Sequence, residues 1–82
     1  MKSQEKYTPI NCSYYDELEA YATLRLPVAI VFLQNGETTE IQAIITKLET
    51  LNGEEFLYTN TNHKIRLDFL QSVGGKLVKY YC

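Results

Sequence analysis

Pro27-Val28-Ala29-Ile30-Val31-Phe32-Leu33-Gln34-Asn35-Gly36-Glu37 is the stretch that decides the fold. From Pro27 to Leu33 the chain is apolar on both faces and reads as a strand. Asn35-Gly36 then gives a strong hairpin signal, because both central residues of a type I′ turn need positive φ.

The same grammar repeats downstream. Thr38 to Thr46 places Ile41, Ala43 and Ile45 on one face. Lys47 to Gly53 reads as irregular and ends in a second tight turn, Asn52-Gly53. Glu54 to Thr59 alternates, with Phe56 and Tyr58 on one side, and Asn60 to Asn62 makes a third turn. Lys64 to Leu70 puts Ile65, Leu67 and Phe69 on one face. Gly74-Gly75 is a fourth turn, and Lys76 to Tyr81 is the last strand. Five short strands joined by tight turns form a small twisted antiparallel sheet, and closing it into a barrel removes its edges. One face of Pro27–Leu33 then lines the barrel and the other carries a helix.

That helix lies upstream. Tyr7 to Cys12 is extended, since Pro9 removes a donor and pushes Thr8 away from helical angles. Ser13 offers an N-cap with Asp16 three residues on, the Asp variant of a capping box. The helix runs to Thr23 or Leu24, and Pro27 stops it. At ~100° per residue, Tyr14, Leu18, Tyr21 and Ala22 form the buried stripe. Asp16, Glu19 and Thr23 form a polar stripe, Tyr15 sits on the seam, and Glu17 points to water as a solvated charge. Asp16, Glu17 and Glu19 put three carboxylates into four positions, and no base occurs between Lys6 and Arg25. A concentrated acidic element beside an aromatic ring suits protein docking.

The chain has 82 residues, which favours one domain, here 7–82, behind a flexible N-terminal tail, 1–6. Hydrophobic residues make up 45% and charged residues 22%, as in ordinary soluble proteins. Ten acids against eight bases leave a net charge of −2, without the broad basic footprint of nonspecific nucleic-acid binders. No apolar run approaches the ~20 residues needed to span a bilayer. The polar start, Met1 to Lys6, lacks the apolar segment of a signal peptide, so a cytoplasmic location is expected. Cys12 and Cys82 are then expected as reduced thiols. Cys12 reads as a small buried apolar side chain and Cys82 as a frayed end, although the sequence leaves a bridge between them open.

Catalytic chemistry is not evident. His63, the one histidine, lies in a turn and reads as a solvated surface residue. No serine or cysteine has a triad partner set, and Gly74-Gly75 lacks the lysine of a phosphate loop. The helix carboxylates sit on an exposed helix start without the apolar pocket that acid–base chemistry needs. No enzyme activity, metal or cofactor is expected.

The N-terminal pattern Tyr7-x-Pro9-Ile10-Asn11-Cys12-x-x-Tyr15-Asp16-x-Leu18-Glu19 resembles the signature of the Rho-binding antiterminator family, Rof (also called YaeO). The apolar strand ending at Asn35-Gly36-Glu37, the stretch Glu55-Phe56-Leu57 and the strand Ile65-Arg66-Leu67-Asp68 continue the resemblance, which covers Tyr7 to Ser72. It implies an Sm-like fold, a helix leading a strongly bent five-stranded barrel. It also implies binding to the hexameric transcription termination factor Rho, an RNA-dependent ATPase and helicase, near its primary RNA-binding site. RNA loading is thereby blocked and termination reduced. Tyr15, Asp16 and Glu19 match the helix positions for Rho contact, Glu17 lies beside them, and Asn52 roughly matches a contacting loop. The chain departs from the family at Ser13 and Tyr14, where an acid is frequent, and across Lys47–Gly53 and the tail after Gly74.

The free protein is expected to be a monomer that does not bind RNA directly. The rival reading is an Sm-like RNA-binding ring, using Lys47, Lys64 and Arg66 with Asn60, Asn62 and His63, and an open last strand for pairing with its neighbour. A third is an interaction module for some other protein.

Overall fold

The computed structural model describes residues 6–80. One helix, α1 (Cys12–Leu24), precedes six strands: β1 (Pro27–Gln34), β2 (Glu37–Leu51), β3 (Glu54–Thr59), β4 (Lys64–Arg66), β5 (Leu70–Val73) and β6 (Lys76–Leu77). The protein is thus mostly β with one N-terminal helix. Each strand pairs antiparallel with its neighbours in the order β4-β3-β2-β1-β5-β6. The turns Asn35-Gly36 and Asn52-Gly53 have the positive φ values their sequences demand.

Three differences from the sequence reading have identifiable physical causes. First, Lys47–Leu51 is not irregular but continues β2. Every residue from Lys47 to Leu51 has a partner on β3, running from Lys47↔Tyr58 to Leu51↔Glu54. A register shift between Ile45 and Lys47 bends β2 there, so its first part pairs with β1 and its second with β3. Asn60 pins the bend: its side-chain oxygen accepts from the Ile44 amide at 3.0 Å, and its own amide donates to the Ile44 carbonyl at 3.0 Å.

Second, the expected strand Lys64–Leu70 is split by a 3-10 turn at Leu67–Phe69, which makes six strands instead of five. Asp68 turns back to receive the Arg66 guanidinium and the Thr8 amide. The ladder stays open, with β4 and β6 as its two edges. Leu67 of the 3-10 turn is fully buried and packs toward β1 and β3, so side chains complete the core beyond the ladder.

Third, the last strand stops at Leu77. Val78 donates to the Gln71 carbonyl, and the chain then swings to Ile10, which bridges Tyr80. Tyr81 and Cys82 lie outside the described residues, as do residues 1–5 of the expected tail.

The core is a single cluster. Ile10, Tyr14 and Leu18 meet Val28, Ile30 and Phe32 of β1, with Ala43, Ile45, Leu57, Ile65, Leu67, Leu70 and Val73 around them. Ala29 and Val31 are only half-buried, and α1 packs chiefly against β2 instead of covering the outer face of β1. Gly74 lets the β5–β6 turn approach α1: a β-carbon there would lie 2.5 Å from the Tyr21 hydroxyl oxygen. No helix among the described residues is long and apolar enough to cross a membrane.

Candidate docking surface on the first helix

The helix begins two residues earlier than a Ser13 cap would allow. Asn11 has extended angles, and its side-chain oxygen accepts from the amides of Ser13 at 2.9 Å and Tyr14 at 3.2 Å. Asparagine caps at least as well as serine, and Ile10 before it is buried and fixes the approach. The Ser13–Asp16 capping box therefore does not form, and Asp16 is released from that duty. Cys12 becomes the first helical residue and is exposed, not buried. It is disulfide-bonded rather than a reduced thiol; the sequence has one other cysteine, Cys82, which lies outside the described residues.

The faces of α1 fall where the periodicity puts them. Tyr14 and Leu18 are buried, while Tyr21 and Ala22 pack at the margin of the core. Asp16 and Glu19, one turn apart on the same side, are exposed, and among the described residues neither is held in an ion pair. Tyr15 is half-buried at the seam and packs against the core.

Glu55 of β3 joins this surface, which sequence reasoning missed. Its carboxylate accepts from the Tyr7 hydroxyl at 2.8 Å. Burial raises the Tyr15 phenol above its ordinary pKa, with the carboxylates of Glu55 and Glu19 adding to the rise. Glu55 thus lies within electrostatic range of Tyr15. The strand alternation was the available clue, since Glu55, Leu57 and Thr59 share one face and the last two are buried. A shallow concavity of about 320 Å³ lined by Glu19, Ala22, Thr23 and Leu48 continues the surface from α1 onto β2.

Two sequence-derived site residues stand apart in role. Glu17 is not a free solvated charge: Lys76 Nζ donates to its two carboxylate oxygens at 2.9 and 3.0 Å, stapling α1 to β6. Asn52 is exposed at the β2–β3 tip with φ 53°, where its conformation serves the turn.

The residues of the RNA reading are placed as follows. Asn60 is used by the β2 bend. Arg66 is bound by Asp68 and Glu54. Lys47 lies 3.8 Å from Glu49. Lys64 sits over the Phe56 ring at 4.6 Å. His63 is half-buried rather than solvated, with Nδ1 2.9 Å from the Thr61 hydroxyl and its ring meeting Phe32 edge-on.

Fold and surface together define a class: a small antiparallel β-sheet protein whose single helix displays carboxylates beside an aromatic ring. No family model matches the chain, and no curated protein or solved structure is found similar to it.

Proposed function

We propose that this chain is a non-enzymatic, Sm-like inhibitor of Rho-dependent transcription termination, which docks on the Rho hexamer near its primary RNA-binding site and blocks RNA loading. The observation that carries the reading is the exposure of Asp16 and Glu19 beside Tyr15, neither of them in an ion pair among the described residues, with Glu55 reinforcing the charge. A protein surface built for RNA presents cations to phosphates and flat pockets to bases. A rigid helix bearing two carboxylates next to a ring complements both features, and its charge steers encounter with a cationic surface. The leading helix and the bend in β2 support the Sm-like reading.

The test is a titration of the protein into Rho hexamer of the same organism, at two salt concentrations, with and without C-rich RNA. Salt-sensitive binding that the RNA competes away is expected. No binding at tens of micromolar protein in low salt overturns the reading.

A further inference from the structure

A second surface lies on the opposite face of β3. Strand alternation puts Phe56 and Tyr58 there, away from Glu55 and the buried Leu57. Both rings are partly exposed. In sequence the nearby cations look scattered, but the fold gathers them. Lys64 Nζ lies 4.6 Å from the Phe56 ring centre and 5.8 Å from that of Tyr58, and Lys47 Nζ lies 4.7 Å from Tyr58 on the same face. Lys64 forms no ion pair among the described residues. Beyond Phe56 the surface opens into a cleft of about 510 Å³, bordered by Phe56, His63, Lys64, Arg66 and Phe69. His63 commits Nδ1 to Thr61, and the Arg66 guanidinium lies over the Phe69 ring at 4.8 Å.

Flat rings in a row on a sheet face, interleaved with cations, are the arrangement that stacks unpaired bases. We propose that this outer face of β3 and β4 binds short single-stranded nucleic acid, with bases stacked on Phe56 and Tyr58 and a phosphate held by Lys64. The lysine stem is flexible, so its ammonium can leave the ring for a phosphate as a base slides onto Phe56. Glu49, Glu54 and Asp68 also border the face, and they neutralise Lys47 and Arg66. The site is therefore confined to one or two nucleotides around Lys64. This surface is separate from the helix, and its binding does not depend on Rho.

The experiment is an amide NMR titration of the full chain with hexamers of rC, rA and dT at low salt, in the absence of Rho. Saturable shifts are expected at Phe56, Tyr58, His63 and Lys64. Phe56→Ala and Lys64→Glu should each weaken binding roughly 10-fold, the scale of losing one stacked base or phosphate contact. Asp16→Lys with Glu19→Lys should leave the shifts at these residues in place. The proposal is overturned by absent shifts at millimolar strand, by shifts confined to α1, by full affinity in the Lys64→Glu protein, or by inorganic phosphate reproducing the entire response.

Discussion

The guanidinium of Arg66 grips the carboxylate of Asp68 two residues on, with Nε–Oδ1 at 2.6 Å and Nη2–Oδ2 at 2.9 Å. Both side chains are nearly buried, 10% and 8% exposed, and the same carboxylate accepts from the Thr8 amide. This ion pair lies at the 3-10 turn between β4 and β5, and Asp68 ties the lead-in of α1 to it. Removing Asp68 takes a carboxylate from Arg66, which keeps Glu54, and leaves the Thr8 amide without its acceptor; a buried polar group left unsatisfied costs about 1–3 kcal/mol. Asp68→Ala should show that loss in urea unfolding; a loss under about 1 kcal/mol, the scale of an exposed pair, would contradict the role given to Asp68.

The helix cap gives a second outcome. Asn11→Ala should cost about 1 kcal/mol by chemical denaturation, the usual loss of an N-cap side chain. Ser13→Ala and Asp16→Ala should change stability by no more than about 0.5 kcal/mol, the usual range for surface substitutions away from such features. A larger loss at Ser13 than at Asn11 would return the cap to Ser13.

Glu17 and Lys76 form an exposed staple, so Glu17→Ala should cost no more than about 1 kcal/mol, and less in high salt. Thermal melts at low and high salt read this directly. A large, salt-independent loss would mean that Glu17 is structural in some further way.

Alkaline pH should loosen the fold. Burial, above all, pushes the Tyr14 phenol up from 10.0 to about 12, with the Glu17 carboxylate adding to the rise. Burial also raises Tyr7, further than Tyr14, with its hydrogen bond to Glu55 as the next cause. A phenol whose folded pKa is raised stabilises the fold below its unfolded pKa and loses that contribution as pH climbs through the folded value. Stability should therefore fall from about pH 10 upward, the ordinary phenol value. The Tyr14→Phe protein should show a shallower fall than the wild type in urea midpoints measured at successive pH values. An unchanged slope would remove Tyr14 from the account.

Much of this fold is written in local signals, and the exceptions share a cause. Asn35-Gly36 and Asn52-Gly53 announce their hairpins because few other pairs accept two positive φ values. The exposed stripe of Asp16 and Glu19 follows from helical spacing alone. At the split, Leu67–Phe69, Asp68 meets the Thr8 amide across 60 positions of sequence, a partner that no local window contains. The extension of β2 to Leu51 depends on β3 as its partner, and Glu17 is claimed by Lys76 at a separation of 59. The cap is a different case: Asn11 and Ser13 both qualify locally, and only the burial of Ile10 and Tyr14 decides between them. Glu55 entered the docking surface by the same long-range route, through Tyr7.

The most direct test of the docking claim is the affinity of the Asp16→Lys, Glu19→Lys protein for Rho hexamer, measured beside the wild type and a Glu17→Lys control. All three should fold, since neither Asp16 nor Glu19 carries the cap or an ion pair among the described residues. The double reversal should abolish binding, and Glu17→Lys should weaken it only modestly. Wild-type affinity in a folded double-reversal protein would contradict it.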